Sequence, residues 1–319
     1  MSRFAIGIDL GGTQVRAALV DEHGKIHQRL EERTDAEAGP DRVLGQIGGL
    51  TERLRSACDS SAVVGLGVSA PGPLDTELGI ALDIPTLRGF SNYPLREELQ
   101  TRLRLPVSLE NDGIAAAIGE WQFGAGLGLR NLVYVTVSTG IGGGVIADGR
   151  ILRGRKGMAG HVGHMSIVPD GLVCSCGGKG CFEAYASGTA FTKRARARIA
   201  ECEETSLAHI GDVLDSRSVF AAAESGDRLA NDLVDEEADI LGRGFTSLIH
   251  IFSPEIVIMG GGLSQQFDRL QAGIQAHVER CAMPAFRDVG VVSAALGQNS
   301  GLVGAAALAF LPRRSAAES

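Results

Sequence analysis

The sequence predicts an α/β protein of two lobes, each built on a copy of one unit. Three observations carry that expectation. An apolar strand, a glycine-rich turn and a second strand occur at Phe4–Val20 and again at Leu132–Ile146. The 319 residues exceed what one hydrophobic core organises, since single cores stop growing near ~250–300 residues. The chain also holds 44 glycines but only 10 prolines. That is about twice the usual ~7% share of glycine, and it asks for turns, tight packing or backbone approach to a ligand rather than for disorder.

The elements follow in order. Phe4–Ile8 reads as a buried strand broken by Gly11-Gly12, and Val15–Val20 and Lys25–Leu30 follow as antiparallel neighbours through the turn at Glu22-His23-Gly24. Val43, Leu44, Ile47, Leu50 and Leu54 fall at helical spacing. Val63–Val68 is a continuous apolar strand ended by Ala70-Pro71-Gly72-Pro73. Leu95–Leu103 reads as a helix and Val107–Leu109 as a strand; a helix runs from Asp112 to about Trp121, with Asn111 or Asp112 as its N-cap. The second copy places strands at Leu132–Val137, Val145-Ile146 and Ile151-Leu152, with Ser138–Gly144 as its glycine turn. Helical pattern covers Ala190 to about Phe252, with a break near Thr205–Asp212. Ile256–Met259 is a strand that stops in Gly260-Gly261-Gly262. A helix over Gln265–Cys281, a strand at Val289–Val292, an apolar helix at Leu302–Leu311 and a polar, frayed tail at Pro312–Ser319 complete the chain.

The chain carries 30 Lys+Arg against 38 Asp+Glu, a net charge of −8, which offers nucleic acid no general basic footprint. No apolar run approaches the ~18 residues that span a membrane. Met1–Phe4 enters a strand pattern at once, without a signal-peptide region. The expected setting is a reducing cytoplasm, in which six cysteines are not a disulfide framework.

Six constellations carry candidate chemistry. Asp9-Leu10-Gly11-Gly12-Thr13 ends a strand in two glycines whose N–H groups can cradle phosphate, and Asp9 makes sense there if Mg²⁺ lies between carboxylate and phosphate. A plain hairpin turn is the other reading. Ser138-Thr139-Gly140-Ile141-Gly142-Gly143 repeats the arrangement with two hydroxyls, and two such nests facing one cleft suit a polyphosphate. Gly260-Gly261-Gly262 is open to an adenine or ribose contact, or is simply a strand-to-helix turn. Cys174, Cys176 and Cys181 place three thiols within eight residues, which points to a metal; His164 upstream completes a closed Cys₃His set for structural Zn²⁺. Buried free thiols or a redox pair are the alternatives, and Cys58, Cys202 and Cys281 read as packing residues. Glu110-Asn111-Asp112 stands at a strand end, where α/β sheets bind ligands, although an N-cap accounts for Asp112 without chemistry. His161 and His164 flank the cysteine segment, and Glu183, two residues past Cys181, is suited to a hydroxyl-rich ligand.

Taken in this order, the motifs resemble the ROK family of sugar kinases and sugar-responsive repressors, over nearly the whole chain from Asp9 to the final helix. The Cys-x-Cys-Gly-Gly-x-Gly-Cys-x-Glu segment is the most specific; the Asp-x-Gly-Gly-Thr turn is shared with the wider hexokinase/actin-like superfamily. The resemblance implies a two-lobed actin/hexokinase-like (ribonuclease H-like) fold with a duplicated α/β unit and an inserted zinc knuckle at 164–181. The small lobe is expected at 1–118 plus 299–319 and the large lobe at 119–298. The implied activity is ATP-dependent phosphorylation of a hexose, glucose foremost, at the C6 hydroxyl.

By the same resemblance, Asp112 matches the catalytic base, and Asn111, His161, His164, Glu183 and Gly72 fall on the sugar side. Asp9, Gly11, Gly12, Thr13, Thr139 and Gly140 match the phosphate loops, and Gly260 and Gly261 the adenosine side. His164, Cys174, Cys176 and Cys181 match the zinc ligands. ATP, Mg²⁺ and structural Zn²⁺ are implied, with a homodimer as the assembly. Two positions depart from the family pattern: His161 replaces its usual Glu, as in some N-acetylmannosamine kinases, and Thr86 its usual Asn. The family's repressors carry a helix-turn-helix ahead of the first strand; only eight residues precede Asp9, so DNA binding is not expected.

Overall fold

The computed structural model describes residues 2–201 and 204–311; Met1, Cys202, Glu203 and the tail at 312–319 lie outside the described residues. The fold is mixed α/β. It divides into two compact units, one of Met1–Gly128, Ile151–Gly160 and Asn299–Ser319, the other of Leu129–Arg150 and His161–Gln298.

In the first unit, β1 (Phe4–Leu10), β2 (Gln14–Asp21) and β3 (Ile26–Arg33) form the expected antiparallel meander, with β3 ending three residues beyond the expected Leu30. Helix α1 (Pro40–Arg55) begins with proline at its first turn, which costs no hydrogen bond, and buries Val43, Leu44, Ile47, Leu50 and Leu54. β4 (Val63–Ala70) runs parallel to β1. The next segment, through the Pro-Gly-Pro turn and beyond, forms a small antiparallel sheet of β5 (Leu74–Asp75), β6 (Ile80–Asp83) and β7 (Ser91–Tyr93). Strands of two to four residues leave no readable alternation, so the pattern did not announce them. Helix α2 (Leu95–Leu103), β8 (Val107–Asn111) and α3 (Asp112–Phe123) follow. The sheet order is β3-β2-β1-β4-β8.

The second unit repeats that plan. β9 (Leu132–Val137), β10 (Ile141–Ala147) and β11 (Arg150–Ile151) are its meander. Helices α4 (Phe182–Ala186), α5 (Gly188–Ala200), α6 (Ser216–Glu224) and α7 (Arg228–Phe252) lead to β12 (Ile256–Gly260), α8 (Phe267–Cys281) and β13 (Gly290–Ser293), giving the order β11-β10-β9-β12-β13. Gly142, Gly143 and Gly144 are not part of the turn: they pair in β10 with Thr136, Val135 and Tyr134. The turn closes on Ser138–Gly140 alone, where the Ser138 N–H donates to the Gly140 carbonyl at 2.9 Å.

Helix α9 (Ser300–Phe310) returns to the first unit and packs on β1, β4 and α3. The approach is close enough that a Cβ on Gly7, Gly67, Gly119 or Gly304 would overlap the backbone of Leu302, Ala305, Ser300 or Ala115 respectively. Each unit has its own core: Ile8, Leu19, Ile47 and Val68 lie in the first, and Val135, Phe182, Phe245 and Ile274 in the second.

Candidate active site

In the first unit, β1 and β4 run parallel, as do β4 and β8, so their carboxyl ends lie side by side. Register places Asp9, Ser69 and Glu110 in one row across the three strands. Asp9 pairs with Arg16 on β2, its register partner, and accepts a long 3.4 Å hydrogen bond from Ser69 Oγ at Oδ1. Arg16 was not foreseen; an apolar strand with one interior arginine beside an aspartate was the available signal. Gly11 and Gly12 form the β1–β2 turn, closed by the Gly11 N–H on the Gln14 carbonyl at 2.9 Å. Thr34 ties that turn down: its Oγ1 donates to the Gly11 carbonyl at 2.7 Å and its N–H to the Thr13 carbonyl at 2.9 Å. A Cβ on Gly12 would fall 2.7 Å from that of Thr86, so Thr86 lies directly against the turn. Gly72 is half-buried in the turn after β4, and its bond to Pro73 is cis.

Asn111 and Asp112 divide the work at the start of α3. Asn111 is the N-cap, its side chain accepting from the Gly113 N–H at 3.0 Å; Asp112 is the first helical residue, exposed, with Oδ1 accepting from the same N–H at 2.8 Å. The cap reading therefore belongs to Asn111. Beneath them, Glu110 is 1% exposed. Burial pushes its carboxyl above the usual range, and the Arg153 guanidinium, with Nε 3.1 Å from Oε2, pulls it back.

The second unit assembles the cysteine cluster. The ligand atoms of His164, Cys174, Cys176 and Cys181 all lie within 4.8 Å of one another. Cys176 and Cys181 sulfurs are 3.7 Å apart, and Cys174 Sγ is 3.8 Å from His164 Nδ1. A tetrahedral zinc with bonds of about 2.3 Å to sulfur and about 2.0 Å to nitrogen needs edges of roughly 3.5–3.8 Å, and the Cys176–Cys181 and Cys174–His164 pairs are of that length. Gly177 and Gly180 turn the chain around the cluster at φ of 86° and 77°. Burial, then the neighbouring thiols, pushes the Cys181 thiol up to about 12, whereas hydrogen bonds, led by the Gly178 N–H, lower Cys176. His161 stacks on His164 with ring centroids 6.3 Å apart. Of the cysteines read as packing residues, Cys58 packs on the first core, but Cys281 is exposed at the end of α8. Its spacing from Ile274 keeps it on the core-facing side, but as the last residue of the helix it is exposed.

Glu183, on the first turn of α4, joins this cluster to the Ser138–Gly140 turn. Its Oε1 accepts from Ser175 Oγ at 3.2 Å and contacts Cys174 Sγ at 3.8 Å, and its Oε2 accepts from the Ile141 N–H at 2.9 Å. On its other side the turn is held by α5: Thr189 Oγ1 donates to the Thr139 carbonyl at 2.8 Å and the Gly188 N–H to that of Ser138 at 2.7 Å. Thr139 and Gly262 line a pocket of about 780 Å³ in this unit, with Thr189, Lys193, Arg217 and Gln266 around it. Gly260 ends β12, buried against the Tyr134 hydroxyl, and Gly261 turns at φ 85° over the Val137 carbonyl; it is the third glycine, Gly262, that reaches the pocket. The pocket's α5 side was missed. Thr189, Thr192, Lys193 and Arg196 form a polar stripe at helical spacing, a signal that was present in the sequence.

The description ROK family fits the chain over residues 5–310. A glucokinase of Thermotoga maritima is 38% identical over 309 residues, covering 95% of this chain and 96% of that protein. An N-acetylmannosamine kinase of Salmonella newport is 35% identical, covering 95% and 97%. The crystal structure of a ROK family glucokinase from Streptomyces griseus with glucose and AMPPNP is similar at a TM-score of 0.83 and 35% identity, covering 96% and 99%. The chain belongs to the ROK family.

Proposed function

We propose that this protein is an ATP-dependent sugar kinase that transfers the γ-phosphoryl group to the C6 hydroxyl of glucose. One observation carries the reading: the Ser138–Gly140 turn walls a nucleotide-sized pocket on one side and leads on the other to Ile141, whose N–H is held by Glu183. A phosphoryl donor and a hydroxyl-rich acceptor then share one turn. The relatives support the same chemistry, since glucokinases of this length match end to end.

In this reading Asp112 accepts the proton of the sugar hydroxyl as its oxygen bonds to the γ-phosphorus and the bond to the departing ADP breaks. Asn111, His161, His164, Glu183 and Gly72 orient the sugar; Gly12, Thr13, Thr139 and Gly140 offer backbone N–H and hydroxyl donors to the phosphates, and Gly11, whose N–H closes the turn on the Gln14 carbonyl, shapes that loop. The adenosine end lies on the Gly260–Gly262 turn. Positioning and charge stabilisation supply most of the catalysis in such transfers. Asp9 Oδ1 keeps acceptor capacity beyond its long Ser69 contact and would help hold Mg²⁺, which would neutralise phosphate charge during transfer. Zn²⁺ held by His164, Cys174, Cys176 and Cys181 has no open position and is structural. The two units stand for the lobes of an actin/hexokinase-like fold, at work as a cytoplasmic homodimer.

His161 favours a second reading, N-acetylmannosamine as the acceptor. ADP release measured over glucose, mannose, fructose, N-acetylglucosamine and N-acetylmannosamine decides between them. Glucose is expected to give the highest kcat/KM, and a clear preference for N-acetylmannosamine would replace it.

A further inference from the structure

Glu110, at the end of the Asp9–Ser69–Glu110 row, has no role in the reaction above, yet it is a carboxylate with almost no solvent contact. Taking such a group out of water is costly unless it is paired and hydrogen-bonded. Both oxygens are committed. Oε1 accepts from the backbone N–H of Asn111 at 3.1 Å, and Oε2 accepts from Arg153 Nε at 3.1 Å. Arg153 is itself fixed. Its carbonyl accepts from the Ala159 N–H at 2.8 Å, which closes the 153–159 loop, and the Thr76 N–H donates to the Lys156 carbonyl of that loop at 3.1 Å. Glycine at 157 lets the loop lie against Thr76, where a Cβ would overlap Thr76 Oγ1. A chain of contacts thus runs from a pinned loop, through one guanidinium and one buried carboxylate, to the peptide that carries Asn111 and opens α3 at Asp112.

We propose that Arg153 and Glu110 are positioning residues for phosphoryl transfer, holding the Asn111–Asp112 backbone so that the Asp112 carboxylate is aimed before the sugar arrives. The proposal rests on the reading of Asp112 as the base. Without the guanidinium, the buried carboxylate either takes up a proton or turns toward water. Either change weakens its hold on the Asn111 N–H and loosens the first turn of α3. A misplacement of about 1 Å at a reacting group costs on the order of 10²-fold.

Arg153→Met, Arg153→Lys, Glu110→Gln and the Arg153→Met/Glu110→Gln double variant test this. With glucose and ATP, Arg153→Met is expected to lose about 10- to 100-fold in kcat. The KM for ATP should stay within about threefold, and Arg153→Lys should recover part of the loss. Because the two residues act as one device, the double variant should lose little more than the worse single variant. Normal kcat in Arg153→Met, or losses that multiply in the double variant, would overturn the proposal. Hydrogen exchange over residues 107–116 reads the same device without turnover: protection should fall in Arg153→Met and Glu110→Gln, and unchanged protection would also overturn it. If the unaltered protein phosphorylates no sugar while the variants lose protection there, the kinase reading fails and the structural link stands. Should Arg153→Met not fold, Glu110→Gln, which keeps shape and acceptor, carries both measurements.

Discussion

Glu183 Oε2 accepts a hydrogen bond from the Ile141 N–H at 2.9 Å, so one carboxylate holds the glycine turn of the second sheet to the cysteine cluster. Glu183→Ala leaves a buried N–H without that partner, which costs about 1–3 kcal/mol. It also removes a proposed sugar ligand. Chemical denaturation should show the stability loss, and kinetics a rise in glucose KM. Glu183→Gln, whose amide oxygen still accepts, should restore most of the stability and little of the sugar affinity.

Because Asn111 supplies the cap, Asp112→Asn removes the proposed base without uncapping α3. Steady-state assays should show kcat lowered by at least about 10²-fold, the scale of general-base catalysis, with nucleotide affinity retained. Turnover near normal would displace Asp112 from the mechanism.

The four-ligand cluster predicts one zinc per chain. Metal analysis of the purified protein checks the count. A strong chelator, or Cys176→Ser, should lower the melting temperature before it lowers activity in the surviving folded fraction. Equal stability with and without metal would make the cluster a group of thiols.

Acid should unfold the second unit in part through Asp227. Burial alone would raise its pKa, but hydrogen bonds from Ser206, Ala230 and Thr205 outweigh that and hold it at about 2. Since the unfolded value is near ~3.9, its stabilisation is full above about pH 4 and is lost as pH falls through about 2. Urea unfolding of Asp227→Asn should show a shallower loss of stability over that window than the unaltered protein.

Gly67→Ala should fail to fold or lose several kcal/mol. Its Cβ would overlap the Ala305 carbonyl in α9, and overpacking against backbone exceeds the ~1–3 kcal/mol typical of side-chain crowding. Expression yield and circular dichroism report it. Gly45, with open space around it in α1, should accept alanine at no cost.

What the sequence made legible was whatever repeats or clusters. The strand–turn–strand order of Phe4–Val20 and Leu132–Ile146 returned as two sheets of matching order, and the Cys174–Cys181 spacing returned as a compact cluster with His164. Pairings across distant strands left no trace of that kind. Arg153 reaches Glu110 from 43 residues away, and neither residue type is unusual where it stands. Glycine was legible only in part. Gly142–Gly144, read as ligand-facing turn, pleat within β10, whereas Gly7, Gly67, Gly119 and Gly304, covered only by the general expectation of turns or tight packing, admit a helix. Burial against a remote element cannot be told from a turn by composition.

That last group bears on how the protein is made. Most of the first unit lies before Gly128, but the helix that fits against Gly7 and Gly67 begins at Ser300. During synthesis the Gly7–Gly67 face of β1 and β4, and the apolar Ile114–Ile118 side of α3, must wait uncovered while the ribosome makes all of the second unit. The second unit has its own core and is nearly continuous in the chain, so it can fold in that interval. The order of completion is thus the reverse of the order of appearance: the half that emerges first is finished last, and until then it is the half a chaperone would find.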